Sequence, residues 1–239
     1  MLVVKFEEAS INQIFEEFDP YFCYAVMNCL PKFKANFEKT KFIDYLKEKY
    51  HKDKEFEKRC NKHLIKPFVS TREIDKTVLK RIRDLNLLYT LKWSYAPSLK
   101  LEGKVTGRAL ELIIEAILKA ELGNHSKLSY EFVDWKSFDY VIVDKSKNDW
   151  IAGIQSKVAF VDAKKTIEEM KEFAKLFADA KRYIMFCGGV KGDERKTEIR
   201  QTFETEGWEL YYLWTDIDEY EIDDSFYKFI DVIKRYGQA

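Results

Sequence analysis

No apolar run in this chain is long enough to span a bilayer. The opening residues, MLVVKFEEAS, lack the apolar core and small-residue cleavage site of a secretory signal, so the expected compartment is the cytoplasm. Internal repeats and low-complexity segments are absent as well. Cysteine is scarce: Cys23, Cys29, Cys60 and Cys187 are too few to frame a disulfide scaffold in a chain of 239 residues. Cys23, Cys29 and Cys60 with His63 are enough in number for a zinc site, but their spacing fits compact zinc knuckles poorly. Cys23 and Cys29 sit in the apolar stretch YFCYAVMNCL, so buried thiols acting as small hydrophobes are the expectation. Net charge is also missing, since 41 Lys and Arg balance 41 Asp and Glu. What remains is a chain that is 46% hydrophobic, which describes a globular protein with a substantial core.

The zero net charge conceals an asymmetry. Leu30 to Lys100 carries 19 Lys and Arg against 9 Asp and Glu, and the rest of the chain holds the compensating acid. Part of that acid is the run Asp216-Ile-Asp-Glu-Tyr-Glu-Ile-Asp-Asp224. A basic half beside an acidic half is a footprint of polyanion binding, against the plainer reading of a solvated lysine-rich surface. The first hundred residues read as mostly helical, with breaks at Asp19-Pro20 and Pro31. Ser70-Thr-Arg-Glu73 is a capping-box pattern opening a helix with Ile74, Val78, Ile82 and Leu85 on one side. Its basic residues, Arg72, Lys76, Lys80, Arg81 and Arg83, are the candidate DNA contacts. Leu88 to Trp93 and Pro97 to Leu101 then read as a two-stranded hairpin. Capped basic helix plus hairpin resembles the second half of a winged helix-turn-helix, placed at about 36–101.

From Thr106 the pattern changes. Gly107 to Leu122 is a strongly amphipathic helix stopped by Gly123-Asn124. Strands follow at 128–135, 137–143 (SFDYVIV) and 150–157 (WIAGIQSK), the last two joined by the polar turn Asp144 to Asp149. A helix at about 163–180, a strand at 182–187, a helix at 194–206, a strand at 208–214 and a helix at 224–236 complete the chain. The expected class is α/β (α+β): a mixed central sheet flanked by helices. The expected division is a helical, basic DNA-binding region at 1–103 and a second domain at 104–239.

On the hairpin, Asp139 and Gln155 are centred on position 147, while the turn is centred between Ser146 and Lys147. The two side chains should therefore lie nearly opposite each other. Gln155 and Lys157, two residues apart on a strand, share a face. An acid, an amide oxygen and an ammonium would converge on one patch, which outlines a hydrolytic metal site.

Helix, three antiparallel strands, helix and strand, with an acid on the second strand and an x-Lys triplet on the third, resembles the PD-(D/E)xK nuclease superfamily, which includes most type II restriction endonucleases. The resemblance covers about Thr106 to Trp214. Phe138 stands where the motif has proline, and Gln155 where most members have Asp or Glu. The resemblance implies a restriction-endonuclease-like core and magnesium-dependent cleavage of double-stranded DNA by a homodimer, with no membrane involvement. It implies Asp139, Gln155, Lys157 and Glu111 as catalytic residues, and Asp139, Gln155, the Ser156 carbonyl and Glu111 around the metal. Glu111 belongs to Gly107-Arg-Ala-Leu-Glu111, and Glu115 is its alternative one turn on. An amide oxygen binds a hard cation less strongly than a carboxylate does. Lys157 would generate or position the attacking hydroxide. The alternatives are a structure-specific repair or junction nuclease, and a DNA-binding regulator that does not cleave.

Overall fold

In the computed structural model the described residues are 11–29, 38–65, 74–94, 103–135, 138–159, 162–174 and 182–238. The chain divides into two compact units, 1–113 and 114–239. The division falls ten residues beyond the expected boundary of 103, inside a helix that runs unbroken from Gly103 to Leu122.

The first unit is helical where described. It contains α1 (Ile11–Glu17), α2 (Pro20–Cys29), α3 (Lys39–Lys52), α4 (Lys54–Cys60), a π-helical turn (Asn61–Ile65) and α5 (Lys76–Ser94), followed by the first half of α6 (Gly103–Leu122). Phe15, Phe18, Phe22, Phe42, Leu46 and Phe56 are fully buried and dominate the interior. Asp53 ends α3 and caps α4, its carboxylate accepting from the backbone N–H groups of Glu55 and Phe56 at 3.1 and 3.2 Å. Many lysines of the basic stretch are matched locally: Lys41 with Glu38, Lys49 with Asp53, Lys52 with Glu48 and Lys54 with Glu57, all at 2.7–2.9 Å.

The winged-helix expectation is overturned here. Leu88 to Trp93, read as a strand, is the last third of the 19-residue α5. Asp84 through Leu91 are buried on every side of this helix, so the sequence shows an unbroken apolar run instead of a stripe. A short run of that kind is ambiguous by periodicity alone, and its continuity with the preceding helical turns decides it. The capping-box residues Ser70 to Glu73, the basic residue Arg72 and the second strand, Pro97 to Leu101, lie outside the described residues. Asp75 starts α5, its carboxylate accepting from the Thr77 N–H at 2.7 Å.

The second unit holds the end of α6, then β1 (Leu128–Trp135), β2 (Phe138–Asp144), β3 (Asp149–Lys157), α7 (Ala163–Ala174), β4 (Tyr183–Cys187), α8 (Asp193–Thr205), β5 (Glu209–Tyr212) and α9 (Asp224–Gln238). This is the element order expected from the sequence. The sheet runs β1-β2-β3-β4-β5, antiparallel from β1 to β3 and parallel from β3 to β5. β4 is sequestered on both faces, as a central parallel strand should be. On one face Met185 and Cys187 join Leu210 and Tyr212 against Ala163, Ile167 and Met170 of α7 and Ile199 and Phe203 of α8. On the other, Phe186 packs on Phe226 and Phe229 of α9, with ring centroids 6.1 and 4.8 Å away.

The β2–β3 hairpin keeps the expected register where it matters. Tyr140 pairs with Ile154, Val141 with Gly153 and Ile142 with Ala152, all centred on position 147. Nearer the turn the ladder slips, pairing Val143 with Trp150 and Asp144 with Asp149. Ile151 is the extra residue of this β-bulge, and the slip accounts for the half-residue offset between the two centres. Asn148 closes the turn at φ 56°, a conformation that Asn tolerates better than most residues.

Candidate active site

The site lies where β2 begins and β3 ends. Continuing the register by one residue sets Asp139 across from Gln155. One Asp139 oxygen, Oδ2, accepts three hydrogen bonds: from the Ser156 N–H at 2.6 Å, the Ser156 hydroxyl at 2.6 Å and Gln155 Nε2 at 3.1 Å. Gln155 Nε2 also donates to the Ser156 carbonyl oxygen at 3.1 Å. Both Gln155 and Ser156 are buried, so the network is withdrawn from bulk water and its bonds are the stronger for it.

A stack of aromatic rings positions this cluster. Phe138, the residue before Asp139, lies 5.8 Å from Tyr183 at an interplanar angle of 18°, and Tyr183 lies 4.9 Å from Trp208 at 20°. The Phe138 ring crosses β3 at Gly153, where a Cβ would come within 2.6 Å of it. A glycine inside a strand often marks such a close approach. Gly153 thus lets Phe138 seat against the α7–α8 core, which fixes the start of β2 and with it Asp139.

Strand alternation places Gly153, Gln155 and Lys157 on one face of β3. Lys157 is half-buried and pairs in the ladder with Cys187, while its carbonyl accepts from the Gly188 N–H at 2.9 Å. Asp139 Oδ2 meets both the Gln155 amide and the Ser156 hydroxyl, side chains that alternation directs to opposite faces of β3. The two candidate helix glutamates part company. Glu111 belongs to the first unit and accepts from Arg108 at 2.8 Å. Glu115 belongs to the second and accepts from the Tyr140 hydroxyl at 3.2 Å, one residue along β2 from Asp139.

The candidate DNA contacts on α5 also divide. Lys76 and Lys80 are exposed one turn apart. Arg81, expected from the sequence to be a DNA contact, is partly buried and engaged within its own unit. Its guanidinium pairs with Asp19 at 2.7 Å and Asp84 at 3.2 Å. Arg83 is half-buried, and desolvation lowers its proton affinity. The two arginines, two residues apart on α5, point to nearly opposite sides of the helix, and both are partly buried. The acidic run 216–224 is answered within its own unit, by Lys191 on Asp218 at 2.7 Å and by Lys196 on Asp223.

Among the described residues, no three or more His, Cys, Asp or Glu side chains gather in a way that could hold a metal ion. Cys23 and Cys60 are buried free thiols, and burial pushes Cys23 up to about 12 and Cys60 higher, as expected of thiols acting as hydrophobes. A cation at the β2–β3 site would rest on one carboxylate with amide and carbonyl oxygens. These are hard donors that suit magnesium, so the set fits the ion with a single formal negative charge. Ser156 is the residue whose role sequence reasoning understated. Its carbonyl was expected at the metal, but its N–H and hydroxyl also orient Asp139.

The chain matches no protein-family model, no curated protein and no solved structure. No helix among the described residues is long and apolar enough to cross a membrane.

Proposed function

We propose that the protein is a magnesium-dependent endonuclease that hydrolyses phosphodiester bonds of double-stranded DNA at a specific sequence, as a type II restriction enzyme does, and works as a homodimer. The observation that carries this reading is the meeting of Asp139, Gln155 and Ser156 at the end of the β2–β3 ladder, with Lys157 following on the face of Gln155. The order of α6, three antiparallel strands, α7 and a parallel β4 supports it, because the PD-(D/E)xK resemblance implies that order. The exposed Lys76 and Lys80 suit phosphate contacts, which are worth most at low salt.

Asp139, the Gln155 amide oxygen and the Ser156 carbonyl are the groups that would hold the ion. Magnesium, when bound, supplies positive charge to the phosphate oxygens as negative charge builds there. Ser156, through its N–H and hydroxyl, keeps the Asp139 carboxylate turned toward β3. Lys157 offers an ammonium to orient the attacking water or a phosphate oxygen. Glu111 is kept in the proposal as a water-positioning group, with Glu115 as the alternative. Cleavage by a dimer would let each copy cut one strand of a two-fold symmetric sequence.

Plasmid incubated with the protein and magnesium should yield discrete fragments, and none when EDTA is present. Asp139→Ala and Lys157→Ala should each lower cleavage by about 10³-fold or more, while DNA binding in a gel shift is retained. Branched substrates cut in preference to linear duplex would favour a junction or repair nuclease. Intact plasmid with a magnesium-independent gel shift would favour the non-cleaving regulator. Normal cutting by both variants would overturn the site.

A further inference from the structure

The sequence of α2, PYFCYAVMNC, contains no charged residue, in a chain that is 34% charged. Its inner face is made by Phe22, Cys23, Val26 and Met27, all buried. The outer face carries Tyr21 and Tyr24, which are 61% and 53% exposed, where a solvated helix ordinarily carries charge. Three residues apart, the two rings share one side of the helix, with about 5–6 Å between Cβ atoms. The surroundings are cationic. Asp19 accepts from the Tyr21 N–H at 2.8 Å and pairs with Arg81 at 2.7 Å, which ties the start of α2 to α5. On α5 the Lys80 charge also reaches Asp19, adding to Arg81 against the effect of burial. Lys76 lies one turn before Lys80; both are exposed, and neither forms an ion pair among the described residues. From α3, Lys39 lies near Cys23 of α2, opposing the rise that burial gives that thiol. Its ammonium donates to the Glu16 carbonyl oxygen at 3.0 Å and not to a carboxylate. The acids of this region are answered elsewhere: Asp19 by Arg81, Glu16 by Lys47 at 2.9 Å, and Glu17 lies near Arg83.

We infer that the outer face of α2 is a binding surface for single-stranded nucleic acid, with bases stacking on Tyr21 and Tyr24 and phosphates drawn to Lys39, Lys76 and Lys80. Two side-by-side rings offer flat apolar surface, and unpaired bases present matching faces to it. In a duplex those faces are already stacked on one another, so only base edges and the backbone would reach the tyrosines. Rings alone would suit a protein partner equally well. Lysines from two neighbouring helices supply the positive charge that a polyanion needs. The inference goes beyond the endonuclease reading and does not depend on the β2–β3 site, since every group it uses belongs to the first unit.

The test is the fluorescence anisotropy of a labelled oligo-dT strand of about 15 nucleotides, and of a duplex of the same length, titrated with the full chain in EDTA. The parent should bind the single strand. Tyr21→Ala and Tyr24→Ala should each weaken that binding roughly 5- to 50-fold, while Tyr21→Phe and Tyr24→Phe, which keep the ring, should stay within about 2-fold of the parent. Duplex binding should change by less than about 2-fold in all four. Lys80→Ala should lower the salt dependence of single-strand binding by about 0.7 in log Kd per log of salt concentration. No binding of the single strand by the parent, or alanine variants that bind as the parent does, would overturn the inference. So would an equal loss of duplex binding, or phenylalanine variants as weak as the alanine ones, which would put the hydroxyls on phosphates and not the rings on bases. Self-association of the parent that Tyr21→Ala abolishes, with oligo-dT binding unchanged, would give this face to a second copy of the chain and would overturn it too. Photocrosslinking of the parent to a strand containing 5-iodouracil covers the case in which a variant misfolds: crosslinks should fall on Tyr21 or Tyr24, and crosslinks confined to other residues would overturn the inference. Plasmid cleavage lost in Asp139→Ala, with no oligo-dT binding by the parent, would leave the endonuclease reading standing and remove this inference alone.

Discussion

Each unit of this protein contains a partly buried carboxylate network, and the two draw on different chemistry. In the first unit, Asp19 and Asp84 share the guanidinium of Arg81, a cation that cannot leave. In the second, one oxygen of Asp139 accepts from three neutral donors, the Ser156 N–H and hydroxyl and the Gln155 amide. A carboxylate with its own arginine has its counter-charge supplied by the fold. The Ser156 and Gln155 donors carry no formal charge, so they orient the Asp139 carboxylate without neutralising it. On this contrast the first network is an ion-pair network, while the part of the second made by Ser156 and Gln155 is built on dipoles.

The sharpest way to break the contrast is to remove charge from each network in turn. Arg81→Met leaves two acids facing each other, one of them buried, and should weaken the first unit by about 3 kcal/mol at pH 8. Asp139→Asn keeps the shape of the second network and an oxygen for Ser156. It should change stability by less than about 1 kcal/mol and still abolish the proposed cleavage. Hydrogen exchange of α5 and β3 amides reads the two units separately. A large stability loss from Asp139→Asn, with cleavage retained, would make the second network as structural as the first.

The pH dependence should differ within the first network itself. Burial pushes the Asp84 carboxyl up to about 7 from an ordinary 3.8, against the pull of Arg81 and Lys80. Asp19 is less deeply placed; burial opposes its ionisation too, but the hydrogen bonds from Arg81 and the Tyr21 N–H outweigh it and hold Asp19 below 3.8. The folded protein holds the Asp84 proton more tightly than the unfolded chain does. That contribution is complete below 3.8 and disappears as pH rises through about 7. The Asp19 contribution runs the other way and is lost as pH falls below 3.8. Asp84→Asn should therefore flatten the decline between pH 4 and 7 and, relative to the parent, stabilise the first unit by about 2 kcal/mol at pH 8. An unchanged slope would mean that Asp84 stays ionised in the fold, with Arg81 the dominant influence.

The second unit was far more legible in the sequence than the first. Its strands are bounded by Gly123-Asn124, the polar run Asp144 to Asp149 and Gly188-Gly189, and a hairpin's arithmetic sets Asp139 against Gln155 without reference to the rest of the chain. In the first unit no such punctuation separates Leu85 from Trp93, and burial on all sides removes the stripe that identifies a helix. Arg81 looked like a phosphate contact because its partners, Asp19 and Asp84, are 62 and 3 residues away, and only the closer one is suggested by helical spacing. At the site itself, the direction of the Gln155 amide and the double donation by Ser156 depend on how β2 and β3 meet at their ends. Neither is encoded in alternation or spacing.

The smallest expected effect tests how the neutral-donor network is held in place. Gly153 gives the Phe138 ring its seat across β3, and a methyl group there would come within 2.6 Å of that ring. The ring is confined by Tyr183 and Trp208 behind it, so the clash must be relieved by moving β2 at its start. Gly153→Ala should cost about 1–2 kcal/mol, the ordinary range for overpacking a filled core. Its effect should appear first at Asp139, the next residue, as faster hydrogen exchange of the Ser156 amide, whose bond to Asp139 Oδ2 is 2.6 Å long. The Arg81 network is built in the other unit, and its α5 amides should exchange at the parent rate. Equal acceleration in both units would mean that Gly153 supports the fold at large and does not specifically position the Asp139 carboxylate.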